Sequence, residues 1–170
     1  MTNDAVCPDP FTVLGVAPEM DLDERALETR YRRLATESHP DFNRGLDAAA
    51  HVEMLERAAR LNDAFHVLRD PWRRAVALIE LRDAQAMQQT KTLCPVFLME
   101  AMETREAVDD AALDRLATLR SEIEAKLAHY LEDVRGHLAR GEVRTAATLV
   151  HQSNYYRKAL ADLKERIHAA

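Results

Sequence analysis

The sequence predicts an all-α protein, and three observations support this fold class. First, 4 glycines and 6 prolines among 170 residues are too few for the many turns of a β-sandwich or barrel. Second, Ala, Leu, Glu and Arg dominate the chain, and these residues have high helix propensity. Third, apolar residues recur every three or four positions, as one face of a helix requires. Hydrophobic residues make up 47% of the chain, so such helices can bury a core.

Two helices are predicted before residue 40. A short helix in the segment PDPFTVLGV has an apolar face and is closed by Gly15 and Pro18. The second helix begins at Asp21 or Asp23, because either side chain can cap its free N–H groups. It ends before Pro40, since the residue before a proline avoids helical geometry. Its apolar face comprises Leu27, Tyr31, Leu34 and Ser38. Its opposite face carries Arg25, Arg32 and Arg33.

Two further helices complete a first domain, which we predict over residues 1–82. The helix from Asp47 to Arg69 forms an antiparallel hairpin with the second helix. Its apolar face comprises Met54, Ala58, Leu61, Phe65 and Leu68. Asp70 and Pro71 end this helix, and a short helix follows from Trp72 to Leu81.

The polar, glutamine-rich segment 83–94 lacks an apolar stripe, so we predict a linker there and a second domain over residues 95–170. Pro95 suits the first position of a helix that ends near Val108. A long helix then runs from Asp110 to Ala139, and Gly141 marks the turn into the last helix. The residues predicted to face inward are Leu113, Leu116, Ile123, Leu127, Tyr130, Val134, Leu138, Ala146, Leu149, Ser153, Tyr156, Leu160, Leu163 and Ile167. Short connections predict an antiparallel three-helix bundle.

Charge and cysteine content disfavour several function classes. A net charge of −6 argues against a nucleic-acid partner. Cys7 and Cys94 lack zinc-ligand spacing and suit a reducing compartment. The chain has no signal peptide and no apolar run long enough to span a bilayer, so we expect a cytoplasmic protein without a membrane partner. Without metal-ligand motifs or a glycine-rich phosphate loop, we expect no metal and no cofactor.

The tripeptide His39-Pro40-Asp41 lies in the loop between the second and third predicted helices. Alone, such a tripeptide is most often an ordinary solvated turn. Here it follows the run YRRLATES on a helix with a basic outer face, and it precedes a helix ending in LNDAFHVLRDP. This context indicates a functional loop.

Residues 9–81 resemble a J domain, through FTVLGV, YRRLA, the HPD tripeptide, LNDAF and LRDP. The resemblance implies a DnaK/HscA-type ATPase chaperone as partner and no catalytic residue in this chain. The implied chaperone-binding residues are His39, Pro40, Asp41, Arg25, Arg32 and Arg33. The arginines would attract an acidic surface over a distance, and Asp41 would contact an arginine of the chaperone. Ser38 and Phe42 depart from the family pattern, which commonly has an aromatic and a basic residue there.

The stretch FLMEAMETRE, at residues 97–106, carries an apolar band wider than one core-facing stripe needs. Phe97, Ala101 and Val108 share one helical face. Leu98 and Met102 form a neighbouring row, with Met99 beside them. Either this band contacts both the bundle and the first domain, or part of it is exposed and binds a partner.

This stretch resembles the FLMExxExRE segment of the HscB-type J-domain co-chaperones of iron–sulfur cluster assembly, and the resemblance covers nearly the whole chain. It implies that the second domain binds an iron–sulfur scaffold protein of the IscU type through a hydrophobic and acidic patch. The implied scaffold-binding residues are Leu98, Met99, Met102, Glu103, Glu106, Asp110 and Tyr155.

We therefore expect a co-chaperone that stimulates the ATPase of a specialised DnaK-type chaperone and delivers the scaffold protein to it. One alternative is a J-domain co-chaperone that delivers a different client through its C-terminal bundle. Another is an enzyme that uses His39 and Asp41 as an acid–base pair, although the sequence shows no nucleophile near them.

Overall fold

The structure, a computed structural model, describes residues 8–37 and 47–169. The helices in these ranges are α1 (Pro10–Leu14), α2 (Glu24–Glu37), α3 (Ala48–Arg69), α4 (Pro71–Arg82), α5 (Ala86–Gln89), α6 (Pro95–Asp110), α7 (Leu113–Ala139) and α8 (Val143–Ala169). The described ranges contain no strand, and the predicted all-α class is confirmed. None of their helices combines the length and apolar character needed to cross a membrane. The chain divides into two compact units, Met1–Leu81 and Arg82–Ala170.

Aspartate caps determine where the first three helices begin. Oδ1 of Asp9 accepts hydrogen bonds from the backbone N–H groups of Phe11 and Thr12, both at 3.0 Å. Oδ1 of Asp23 accepts from the next helix at 2.9 and 3.1 Å, so Asp23 rather than Asp21 is the cap of α2. Asp47 caps α3 in the same way. These side chains satisfy N–H groups that have no partner within the helix.

The first unit is built around the pair of α2 and α3. The ring of Tyr31 stacks on Phe65 with 4.2 Å between centroids, and its hydroxyl donates to Oδ1 of Asn62 at 3.2 Å. The largely buried apolar residues of this unit are Phe11, Leu14, Met20, Leu27, Met54, Leu61, Ala64, Phe65, Leu68, Ala75, Leu78 and Ile79. Because α2 buries its Leu27 side, its arginine-rich side faces solvent.

Arg74 is a charged residue inside the first unit, with 5% of its surface exposed. Its Nε donates to the carbonyl of Leu68 at 2.7 Å, and its Nη1 donates to the carbonyl of Met20 at 2.6 Å. Arg74 therefore joins the end of α3 to the loop that precedes α2. A buried guanidinium is tolerated because such hydrogen bonds replace its lost hydration.

In the second unit, α6, α7 and α8 form an up–down–up bundle, as predicted. Near the start of α6, Phe97 packs edge-on against Tyr156 of α8, with 5.9 Å between ring centroids. At the other end of α6, Arg166 of α8 donates to the carbonyls of Asp109 at 3.0 Å and Ala111 at 2.9 Å. These bonds satisfy carbonyls that the end of α6 leaves without helical partners.

The predicted core of the bundle is largely confirmed, with one error and four omissions. Leu116, Ile123, Leu127, Val134 and Leu138 are buried, as are Ala146, Ser153, Tyr156 and Leu163, whereas Tyr130, Leu149, Leu160 and Ile167 are partly exposed. Leu113 was predicted to face inward but is 67% exposed, because it is the first residue of α7 and lies at the edge of the bundle. The buried residues Leu119, Ala147, Val150 and Ala159 were not predicted.

The segment 83–94, predicted as a linker, lies in the second unit and contains α5. Ala86 is fully buried, and Nε2 of His151 on α8 lies 2.8 Å from the carbonyl oxygen of Met87. Asp83 forms an ion pair with Arg144 at 3.2 Å. Since α5 has only four residues and buries one small side chain, its sequence shows no apolar period. The domain bounds 1–82 and 95–170 stay a prediction.

Candidate functional site

The HPD tripeptide, His39-Pro40-Asp41, lies outside the described residues. The same holds for Ser38 and Phe42. In this region the structure describes the end of α2 at Glu37 and the capped start of α3 at Ala48.

The predicted basic face of α2 is exposed at Arg25, Arg32 and Arg33. Nη2 of Arg32 lies 2.7 Å from Oε1 of Glu28, and Nε of Arg33 lies 3.8 Å from Oε1 of Glu37. More than half of each of these side chains is exposed. Exposed pairs of this spacing contribute about 0.3–0.5 kcal/mol, so both arginines can exchange these carboxylates for those of a partner at little cost.

A groove of about 510 Å³ runs beside this face, lined by Arg25 and Arg33, by Arg30, and by apolar residues that include Val16 and Leu27. Arg30 was not predicted as part of the basic surface. Its Nε donates to the carbonyl of Leu14 at the end of α1, and its guanidinium occupies the space that a Cβ on Gly15 would need. Gly15 also has a φ of 61°, a conformation that favours glycine. The glycine in FTVLGV was the signal that could have indicated this close approach.

A second candidate surface is the outer face of α6. Val96, Met99 and Met102 expose 77%, 64% and 63% of their surfaces, and Leu98 is half-buried. The acidic residues predicted beside them, Glu103, Glu106 and Asp110, are all exposed. Phe97, Ala101 and Val108 are buried, as their shared face predicted. Part of the apolar band is therefore free to contact a partner, and Val96 extends it beyond the residues that the sequence indicated.

Tyr155 of α8 lies beside the first turn of α6. Its ring meets Phe97 edge-on, with 5.6 Å between centroids and 82° between planes. Tyr155 as a whole remains 47% exposed, whereas the neighbouring Tyr156 is 1% exposed. The structure thus brings Tyr155 to the same end of the bundle as the residues that follow Phe97, which include Leu98 and Met99.

A polar network lies where α6 meets α7 and α8. Nζ of Lys126 forms an ion pair with Oε1 of Glu100 and lies 4.3 Å from the centroid of the Tyr156 ring. The Tyr156 hydroxyl donates to the same Glu100 oxygen at 3.2 Å. The hydrogen bond from Lys126 holds the pKa of Glu100 below its ordinary value, whereas burial raises the pKa values of Tyr130 and Tyr156 to about 12. The network links α6 to α7 and α8 through Glu100, Lys126 and Tyr156. Lys126 could not be identified from the sequence, because a single lysine on a helix is most often simply solvated.

Comparison with known proteins covers both units. The DnaJ domain family matches residues 9–76, a range that includes the HPD tripeptide. The family described as the HSCB C-terminal oligomerisation domain matches residues 94–164. A co-chaperone protein HscB homolog from Cupriavidus taiwanensis is 34% identical over 165 residues, which cover 94% of this chain and 93% of the relative. The chain belongs to the HscB family of co-chaperones.

Solved HscB structures share the fold. The chaperone HscB from Vibrio cholerae is 29% identical, with a TM-score of 0.79 over 95% of this chain and 98% of that chain. Human co-chaperone protein HscB is 20% identical, with a TM-score of 0.84 over 100% of this chain and 87% of that chain. The resemblance to HscB-type J-domain co-chaperones is confirmed, and so is the combination of an N-terminal J domain with a C-terminal helical bundle.

Within the described part of the chain, no three His, Cys, Asp or Glu side chains are grouped so that they could hold a metal ion. The described cysteine, Cys94, is a free, exposed thiol at the start of α6.

Proposed function

We propose that this chain stimulates the ATPase of a DnaK/HscA-type chaperone through its J domain and delivers an IscU-type iron–sulfur scaffold protein to it through its C-terminal bundle. The observation that carries the proposal is the presence, in one HscB-family chain, of two different contact surfaces. One is the exposed basic face of α2 next to the HPD sequence. The other is the exposed apolar and acidic face of α6.

The J domain acts on the chaperone without performing chemistry itself. Arg25, Arg32 and Arg33 increase the rate of encounter with an acidic surface. At contact, Asp41 engages an arginine of the chaperone through a charge-assisted hydrogen bond, while Pro40 restricts the shape of the loop. These contacts favour the chaperone conformation that hydrolyses ATP, because they are made with that conformation and not with the resting one.

The C-terminal bundle binds the scaffold protein through α6 and Tyr155. The exposed side chains of Met99 and Met102, together with Leu98, form the apolar centre of the interface, where burial releases water and supplies most of the affinity. Glu103, Glu106 and Asp110 form the acidic rim, which orients the partner more than it holds it.

Joining the two surfaces in one chain explains delivery. A scaffold protein held by the bundle is brought to the chaperone whenever the J domain docks, so its effective concentration there rises without any new contact. We place this activity in the cytoplasm and assign it no nucleic-acid or membrane partner.

The test is a capture experiment with the purified full chain as bait and two purified preys, an IscU-type scaffold protein and a DnaK-type chaperone with ATP. We expect Asp41→Asn to lose the chaperone and keep the scaffold, and Met102→Asp to do the reverse. Capture of the chaperone but not of the scaffold would favour a different client. Retention of both preys by both variants would contradict the proposed surfaces.

A further inference from the structure

A groove between α6 and α7 adjoins the proposed scaffold surface. It has a volume of about 340 Å³, and its apolar lining comprises Ala107 of α6 with Leu119 and Ile123 of α7. Leu119 and Ile123 are largely buried, so they form the floor, whereas Glu103 and Glu122 are exposed and form the rim. Because Glu103 belongs to both features, the groove continues the acidic side of the scaffold surface onto α7.

The charge around this groove is unbalanced. Its lining includes three carboxylates, those of Glu100, Glu103 and Glu122, and one ammonium, that of Lys126. Lys126 is already paired with Glu100 and lies over the Tyr156 ring. Among the described residues, Glu103 and Glu122 have no ion-pair partner. Two carboxylates that form no ion pair therefore stand beside an apolar floor, and the lining carries more negative than positive charge.

We propose that the α6–α7 groove binds a basic side chain, lysine or arginine, of the scaffold protein, and that Glu122 and Glu103 are the carboxylates that meet its charge. The inference rests on the proposed function and deepens it, because it adds a residue of α7 to a surface otherwise formed by α6 and Tyr155.

The shape and charge of the groove select this occupant. Lysine and arginine carry a long aliphatic stem and a charged end, so the stem can lie along Leu119 and Ile123 while the charged end reaches the rim. An apolar side chain would leave both carboxylates unpaired and partly desolvated, which is unfavourable. An acidic side chain would be repelled. Glu122 therefore acts as a specificity-determining residue.

The test is calorimetric titration of the purified full chain with an IscU-type scaffold protein, at about 50 mM and about 300 mM salt. We expect Glu122→Gln to weaken binding roughly 3- to 5-fold at low salt and less at high salt, because screening already weakens the wild-type contact. The matched control is Glu165→Gln, which makes the same charge change at an exposed position of α8 outside the groove. It should bind within about twofold of wild type.

Two further variants make the result decisive. Glu103→Gln should weaken binding as well, and the double variant should lose less than the sum of the single losses, because both carboxylates meet one cation. Met102→Ala reports on the scaffold surface itself. If Met102→Ala weakens binding but Glu122→Gln equals its control, the groove assignment is wrong and the scaffold surface stands. If the wild-type chain does not bind the scaffold protein, the proposed function fails and the groove assignment fails with it.

Discussion

Replacing Met102 with alanine distinguishes a binding role from a packing role on α6. Met102 is 63% exposed, so most of its side chain contacts solvent. Leu127, on the facing helix α7, is 7% exposed and belongs to the core of the bundle. The two substitutions to alanine remove apolar side chains of similar size from opposite environments, and they therefore serve as controls for each other.

Leu127→Ala should mainly lower the free energy of unfolding, whereas Met102→Ala should mainly weaken binding of the scaffold protein. Leu127→Ala leaves a cavity and should cost about 2–5 kcal/mol of unfolding free energy, whereas Met102→Ala should cost less than about 1 kcal/mol. If the scaffold protein covers the exposed part of Met102, on the order of 100 Å² of apolar area is buried, which at about 25 cal/mol/Å² gives about 2.5 kcal/mol. Truncation of a minority of interface residues costs more than about 1 kcal/mol, and a hot-spot residue costs about 2 kcal/mol or more. Since about 1.4 kcal/mol is tenfold in affinity, Kd should rise between roughly 5- and 100-fold.

The assay pairs two measurements on each purified variant. Chemical denaturation gives the free energy of unfolding, and calorimetric titration with an IscU-type scaffold protein gives Kd under conditions in which both variants are folded. We expect Met102→Ala to lose affinity and keep stability, and Leu127→Ala to lose stability and keep most of its affinity. The reasoning is refuted if Met102→Ala binds as wild type does, or if it unfolds as readily as Leu127→Ala.

Two further predictions concern electrostatics and ionisation. Replacing Arg32 and Arg33 with glutamate should slow association with the chaperone in stopped-flow measurements, and wild-type association should slow as salt rises; an association rate that does not respond to salt would indicate an apolar interface instead. The pKa values of Tyr130 and Tyr156 are raised to about 12 because burial disfavours the tyrosinate. Both side chains hold their protons more tightly in the folded chain, so their contribution to stability is complete below about pH 10 and is lost as the pH rises towards 12. Tyrosinate absorbance should show this late ionisation, reduced in Tyr156→Phe, and ionisation of both tyrosines near pH 10 in the folded protein would contradict it.

Helix ends were predictable from the sequence where one side chain determines them. Asp47 and Pro95 marked the starts of α3 and α6, since a cap or a proline acts within one turn of the backbone. Periodicity identified the buried face of α7 but not where packing along that face begins, and Leu113 was therefore assigned to the core although it is exposed. The helix α5 escaped prediction because it buries the single small residue Ala86.

The sequence indicated the exposed apolar residues of α6 but not the charged residues of α7 that lie beside them. Met99 and Met102 were identified because an apolar band too wide for one core stripe is visible in the sequence itself. Glu122 and Lys126 were not identified, because their relation to α6 exists only after α7 packs beside it. A charged residue on a helix is ordinarily solvated, and its sequence neighbours do not show which helix it will face.

The measurement that tests the central claim most directly is the rate of ATP hydrolysis by a DnaK/HscA-type chaperone, with this chain and an IscU-type scaffold protein added singly and together. We predict that the chain and the scaffold together raise the rate more than either one alone. We also predict that Asp41→Asn abolishes this stimulation while it binds the scaffold with wild-type affinity. Stimulation by Asp41→Asn at the wild-type level, or a rate that the scaffold protein leaves unchanged, would contradict the account.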